Sequence, residues 1–363
     1  MTVVVKIGTS SLTDDVGHIR RAAIDKLSAE VARVRADGTD VVIVSSGAIG
    51  AGLPALGFLG ERPKDPVTLQ ALSAVGQARL MRQYEEALAV HGLVCGQVLL
   101  SPLDFFERTQ YLHARNTLGR LIELGVVPIV NENDAVADDA IRFGDNDRIA
   151  ALVAQLVDAT LLVLLTDQPG VLTADPRFDD DASLIEEIVR IDKELESVAG
   201  GAGTSRGSGG MASKLSAAKI AAWSGVPTVI AAAHRDSVLP GAVANESVGT
   251  FVHPRATSLP AKKLWIAFAV GMAGRITVDD GARRALEQRG TSLLAVGVTD
   301  LEGAFLRGDA VEVAGPDGAV FAKGLVTMSA DDLRSAAGRQ TRDLPASLPD
   351  EVIHRDELVL LPG

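Results

Sequence analysis

Two lysines are the residues in this chain best placed to do chemistry. Lys6 lies in the run Val3-Val4-Val5-Lys6-Ile7 and is followed at once by Gly8-Thr9-Ser10. Three consecutive valines read as a strand buried on both faces, as in a parallel sheet. Ligands of open α/β sheets bind beyond the carboxyl ends of the strands, which is where Lys6 would stand. The small turn after it lets an anion approach backbone N–H groups. The competing reading is a lysine that snorkels off a strand end. Lys214 follows the stretch Gly207-Ser208-Gly209-Gly210-Met211-Ala212-Ser213, the end of a glycine-rich loop that begins at Gly200. It falls in the first turn of a helix expected over 211–224, at the surface of a cleft. A cation there is opposed by the helix dipole by roughly 0.3–1 kcal/mol, which a bound anion would offset. The alternative is a flexible linker loop with no ligand.

Other strand ends add to this pair. Val41–Val44 ends in Ser45-Ser46-Gly47 and enters a Gly/Ala-rich helix start, an arrangement whose N–H groups favour negative charge. Tight helix–strand packing would also explain those glycines. Val126–Val130 is followed by Asn131-Glu132-Asn133-Asp134, four polar residues that are costly after a buried strand unless they bond something. Asx turns and a cap absorb two of them, not four. Phe143-Gly144-Asp145-Asn146-Asp147 leads into a helix over 148–157 that Asp145 can cap. Asp147 either holds a lysine in place or is a first-turn acid favoured by the dipole. Leu161–Leu165 ends in Thr166-Asp167 before Pro169-Gly170 turns away.

Lysines, one carboxylate and N–H donors without an evident base suit phosphoryl transfer to an acceptor that is already anionic, because that chemistry needs positioning and charge neutralisation above all. The six histidines lie outside these segments, which leaves no plausible Ser-His-Asp set. The common P-loop pattern is missing, and the first strand lacks the dinucleotide fingerprint.

The elements that must position these residues alternate. Apolar strands and helices of 3.6-residue period, such as 19–35, 68–90 and 113–124, follow one another to about residue 252, implying right-handed crossovers and a mostly parallel open sheet sandwiched by helices. Beyond Val252–Pro260 the stretches shorten to 275–278, 293–298, 310–313, 320–326 and 357–361, separated by turns such as Pro316-Asp317-Gly318. This predicts an α/β catalytic domain over 1–255 and a small, mainly β, barrel-like domain over 262–363. At 363 residues, 47% hydrophobic and 23% charged, the composition is that of a soluble globular chain. The net charge of −12 argues against a general nucleic-acid binder. The single cysteine, Cys95, excludes an intrachain disulfide and reads as a core residue. No uncharged apolar run reaches the ~20 residues needed to span a bilayer, and no leader precedes Val3, so a cytoplasmic protein is expected.

Taken in order, Val4-Val5-Lys6-Ile7-Gly8-Thr9-Ser10, Ser45-Ser46-Gly47-Ala48, Asn131-Glu132-Asn133-Asp134, Gly144-Asp145-Asn146-Asp147, Leu165-Thr166-Asp167 and Gly209-Gly210-Met211-x-x-Lys214 resemble the amino acid kinase family, in the branch that takes L-glutamate. The match runs from residue 3 to about 252. The part from about 262 more loosely resembles a PUA domain. The resemblance implies ATP-dependent phosphorylation of glutamate's side-chain carboxylate to glutamyl 5-phosphate, the first step of proline synthesis. It implies that Lys6 and Lys214 stabilise the transferring group and that Asp147 orients them. Ser46, Gly47, Asp134 and Asn146 would contact glutamate, with Asp134 on its ammonium group. Lys6, Thr166, Asp167 and the run Gly207, Ser208, Gly209, Gly210, Met211, Ala212, Ser213 and Lys214 would contact ATP. Mg2+ would be held mainly by the nucleotide, with no protein metal ligand. Feedback inhibition by proline and a homo-oligomer, dimer or tetramer, are also implied. The γ-carboxylate is ionised at pH 7, so no base is required. Other acceptors used in the family, acetylglutamate, aspartate, carbamate and a nucleoside monophosphate, remain open, as does a non-catalytic amino acid sensor, against which both lysines argue. PUA domains elsewhere bind RNA, but from residue 261 onward there are 12 Lys and Arg against 15 Asp and Glu, a net charge of −3, so RNA binding is not expected here.

Overall fold

The valine run opens strand β1 (Thr2–Ile7), and the alternation that follows builds one sheet. The computed structural model describes the chain except residues 15, 59–61, 106, 137–145, 178, 180, 193–194, 197–209, 257–258, 269–270 and 362–363. It divides into two compact units, Met1–Ser258 and Leu259–Gly363.

In the first unit the strands are β2 (Asp40–Ser45), β3 (Cys95–Leu100), β4 (Val127–Glu132), β5 (Leu161–Thr166), β6 (Glu187–Ile188), β7 (Thr228–Ala232) and β8 (Thr250–Val252). Their order is β3-β4-β2-β1-β5-β7-β8-β6, parallel throughout except where β8 runs against β7. The helices are α1 (Thr9–Leu12), α2 (Arg21–Ala36), α3 (Ala48–Gly52), α4 (Pro66–Ala89), α5 (Arg108–Glu123), α6 (Asn146–Leu156), α7 (Met211–Trp223) and α8 (Val238–Val243).

Period-2 alternation decides which strand residue meets which layer. Val3, Val5 and Ile7 pack with Val41, Ile43, Ile129 and Val163 against α2, α4 and α8. The intervening residues Val4 and Lys6 therefore point to the other layer, where α6 crosses β1, β2, β4 and β5 and packs on α7. Each fully buried valine or leucine contributes roughly 1.5–3 kcal/mol, and β1, β2, β4 and β5 are buried almost throughout.

Some sequence expectations change. β4 does not stop at Val130: Asn131 and Glu132 continue it, paired with Leu99 and Leu100 of β3, because their backbone groups find ladder partners although the side chains are polar. Cys95 is half-buried and packs against the margin of the core instead of inside it, since β3 is the outermost strand and has a neighbour on one side only. Helix α5 begins at Arg108, five residues earlier than its apolar period shows, because its first turns lie at the surface. The short strands β6 and β8 carry too few residues to show a period.

The second unit holds a five-stranded sheet, order β11-β9-β12-β13-β15, with β9 (Met272–Val278), β11 (Val298–Gly303), β12 (Ala310–Ala314), β13 (Val320–Leu325) and β15 (Leu358–Leu360), and a small pair of β10 (Leu293–Leu294) and β14 (Glu351–Ile353). The expected strand 293–298 is instead β10, a 3₁₀ turn over Ala295–Gly297 and the start of β11. Helices α9 (Ala261–Phe268), α10 (Asp280–Arg289) and α11 (Ala330–Ala336) make this unit less purely β than its turn-rich sequence implies. Asp279 and Ser329 cap α10 and α11 by accepting from Ala282 and Asp332 N–H groups.

Candidate active site

The site grows from the carboxyl ends of adjacent parallel strands. Lys6, next to last in β1, points towards α6 by its strand parity, and Asp147 is the second residue of α6. Lys6 Nζ lies 2.7 Å from Asp147 Oδ1. Lys214, in the first turn of α7, reaches the other oxygen, Oδ2, at 3.2 Å. Ser213 Oγ donates to the same Oδ2 at 2.5 Å. All three charged groups are buried: Lys6 is 4% exposed, Lys214 5% and Asp147 1%. Lys214 is thus more enclosed than a position at the surface of a cleft suggests: its own side chain turns towards α6, while Ala212 in the same turn of α7 is exposed.

A lone carboxylate buried this deeply would be driven towards its neutral form. The two ammonium groups and the Ser213 hydroxyl reverse that, and Asp147 ionises well below the ordinary carboxylate range. One anion between two cations leaves an excess positive charge in a dry setting, which is a demand for an anion.

Ser45 closes β2 and turns its hydroxyl towards α4, where it shares a 2.9 Å hydrogen bond with the Tyr84 hydroxyl. Ser46 and Gly47 follow at the turn into α3, and Gly47 has φ +95°, a conformation open to glycine at little cost. Both residues are buried. Helix α3 lies so close to α4 that a side chain at Gly76 would begin 1.8 Å from the Ala48 carbonyl oxygen.

Beyond β4, Asp134 starts a short 3₁₀ turn and is buried. Burial pushes its carboxyl above the usual range, while the Ser73 hydroxyl, donating to Oδ2 at 2.7 Å, and the Arg62 charge draw it back. Asn146 Oδ1 accepts from the Glu132 N–H at 3.2 Å, which ties the start of α6 to the end of β4. On the other side of β1, Thr166 ends β5 with its hydroxyl donating to Asp167 Oδ1 at 3.1 Å. Gly210 is the N-cap of α7 and, being glycine, brings no side chain of its own to accept from the first N–H groups of the helix.

The structure therefore brings Lys6, Asp147 and Lys214 together, and arranges Ser46, Gly47, Asp134 and Asn146 over β2, β4 and α6, with Thr166, Asp167, Gly210, Met211, Ala212 and Ser213 over β5 and α7. Lys6 stands between the two groups because β1 lies between β2 and β5. Gly207, Ser208 and Gly209, and the Asp145 cap, lie outside the described residues. Ser73, Gln77 and Arg62 were not singled out in the sequence. The first two carried a signal: polar residues four apart on the inward stripe that α4 otherwise fills with Leu72, Leu80 and Leu88.

Comparison with known proteins gives the family and the fold. Residues 1–232 match the amino acid kinase family and residues 274–348 the PUA domain. A protein of Geobacter sp. (strain M21) named glutamate 5-kinase is 46% identical over 99% of this chain and 97% of its own length. One of the same name from Burkholderia multivorans is 45% identical with the same coverage. Among solved structures, carbamate kinase from Giardia lamblia bound to AMP-PNP superposes with a TM-score of 0.51 at 18% identity, covering 70% of this chain and 98% of that one, which shows a shared fold. With the ordered strand ends, the paired lysines and full-length similarity in hand, the chain belongs to the amino acid kinase family, in its glutamate 5-kinase branch.

Proposed function

We propose that this chain transfers the γ-phosphoryl group of ATP to the side-chain carboxylate of L-glutamate. A carboxylate oxygen attacks the γ-phosphorus in line, a new C–O–P linkage forms, and the bond to the bridging oxygen breaks to leave ADP. The observation that carries this reading is the buried Lys6–Asp147–Lys214 cluster, two cations held on one carboxylate between the two halves of the site. Phosphoryl transfer places charge on the equatorial, entering and leaving oxygens, and fixed ammonium groups stabilise it without reorganising. Asp147 holds both lysines in place. Asp134 pairs with glutamate's ammonium, Asn146, Ser46 and Gly47 hold its head group, and Thr166, Asp167 and the start of α7 hold the nucleotide.

Both oxygens of Asp147 are taken by lysines, and no group of three metal-ligating side chains occurs among the described residues. Mg2+ would enter on the nucleotide phosphates, because the carboxylate at the centre of the cluster is already engaged by both lysines. Proline shares the α-carboxylate and charged nitrogen that the glutamate half-site would bind, which supports feedback at that site. A homo-oligomer is supported by α5, which buries only Leu118 along its length, and by exposed Val90, Val94 and Leu124 nearby in the chain. The acidic PUA domain serves regulation or assembly in this reading, not RNA.

The test is glutamate-dependent ADP release, with acetylglutamate, aspartate, carbamate and a nucleoside monophosphate as control acceptors. Turnover with L-glutamate alone is expected. Turnover with one of the controls and none with L-glutamate would replace the acceptor.

A further inference from the structure

Gln77 is buried in the middle of α4 and takes no part in the mechanism above. A primary amide inside a core is costly unless both of its ends are bonded. Here both are. Gln77 Oε1 accepts from Asn131 Nδ2 at 2.8 Å, and its Nε2 donates to Gln97 Oε1 at 3.2 Å. Asn131 Oδ1 accepts from the backbone N–H of Glu132 at 2.9 Å, and that same N–H meets Asn146 Oδ1 at 3.2 Å.

The direction of this chain of amides is dictated from one end. A backbone N–H only donates, so Asn131 must present its oxygen to Glu132 and its NH₂ to Gln77. Gln77 must then present oxygen to Asn131 and NH₂ to Gln97. Strand parity allows it: Gln97, Ile129 and Asn131 all face the α4 layer, because Ile129 packs there, Asn131 is two residues on, and Gln97 pairs with Ile129. Gly76, the preceding residue of α4, is the one pressed against the Ala48 carbonyl. One turn of α4 therefore touches α3, which follows Ser46-Gly47, and the end of β4, which leads to Asp134.

We propose that Gln77 is a positioning residue for the acceptor half of the site: its amide fixes Asn131, and through the shared Glu132 N–H it sets the end of β4 against Asn146. This rests on the assignment of Asn146 and Asp134 to glutamate. The nucleotide residues lie across β1 and take no part in the relay, so its loss bears on one substrate.

Gln77→Leu keeps the volume and leaves Asn131 Nδ2 unpaired. The expected result is a rise in KM for glutamate of roughly five- to thirtyfold, with KM for ATP within about twofold of the parent. Gln97→Ala, at an exposed position on the edge strand, removes the outer bond alone and raises KM for glutamate by about two- to fivefold. A folded Gln77→Leu protein with an unchanged KM for glutamate, or with both KM values raised together, overturns the role. Should that variant not fold, an unchanged KM in Gln97→Ala overturns it. Asp134→Ala run alongside separates the two layers of the argument. If it leaves KM for glutamate untouched, the acceptor assignment itself is wrong; if it raises KM while Gln77→Leu does not, only the positioning role is lost.

Discussion

Lys6 and Lys214 hold opposite oxygens of a single carboxylate, Lys6 Nζ at 2.7 Å from Asp147 Oδ1 and Lys214 Nζ at 3.2 Å from Oδ2. One lysine comes from the first strand and the other from a helix late in the same unit. In the proposed function the cluster joins the two halves of the site, and loss of it would show in both catalysis and stability.

Asp147→Asn removes the charge that both ammonium groups share. Breaking a buried ion pair by deleting one partner costs about 3–5 kcal/mol, so a marked fall in Tm accompanies loss of turnover. The pH dependence has a definite sign. The folded-state pKa of Asp147 is depressed, so its contribution is present above the ordinary carboxylate range and is lost as pH falls below it. Calorimetry from pH 7 to pH 3 should show the gap in Tm between parent and variant full at neutral pH and narrowing below about pH 4. A gap that widens on acidification contradicts the assignment.

Lys214→Met should act differently. Asp147 keeps Lys6 and the Ser213 hydroxyl, so folding suffers less than in Asp147→Asn. Loss of one fixed cation at the transferring group should lower kcat by about 10²–10³. Steady-state kinetics beside thermal melts check the contrast, and an equal ranking of the two variants in both measurements would remove the catalytic role.

Asp134→Asn separates binding from stability. Burial holds this carboxyl above its ordinary pKa, so the ionised group is a net strain on the ligand-free fold at neutral pH. A raised carboxyl pKa means stability present at low pH and lost as pH rises through the folded value. The amide can still accept from Ser73, so Tm at pH 7 should stay level or rise, while KM for glutamate climbs at least about tenfold through loss of the charge on the substrate ammonium. Should KM for ATP move instead, the two half-sites are exchanged.

Gly76→Ala tests the contact between α3 and α4. In an ordinary helix this change stabilises, by roughly 0.5–1 kcal/mol. Here the new carbon would meet the Ala48 carbonyl oxygen at 1.8 Å and the Gly52 nitrogen at 2.5 Å, and both are backbone. Overpacking of about 1–3 kcal/mol outweighs the propensity gain, so Tm falls, and displacement of the turn at Ser46-Gly47 raises KM for glutamate. A more stable variant would show that α3 yields freely.

Much of the first unit was legible because a parallel sheet writes itself plainly. The strands β1, β2, β4 and β5 are apolar on both faces, and helical periods separate them. What stayed hidden has a physical cause in each case. Asn131 and Glu132 look like the start of a loop because a side chain's polarity says nothing about its backbone's ladder partners. The strands β6 and β8, of two and three residues, are held by pairing with each other and with β7, and carry no pattern of their own. In the second unit, α10 and α11 are short helices whose caps at Asp279 and Ser329 are visible only to a reader already looking for helices there.

By itself the chain of residues determined which chemistry was available: lysines at a strand end and a helix start, an acid at a second helix start, small turns between, and no base. Those are local properties, set by residue type and by periods of two and 3.6. Only the tertiary structure decided that both ammonium groups meet on one carboxylate, that Lys214 is buried, and that Gln77 reaches Asn131. These are contacts between segments far apart along the chain. They depend on strand order, on the side from which each helix crosses the sheet, and on how closely glycines let backbones approach, none of which a local pattern encodes.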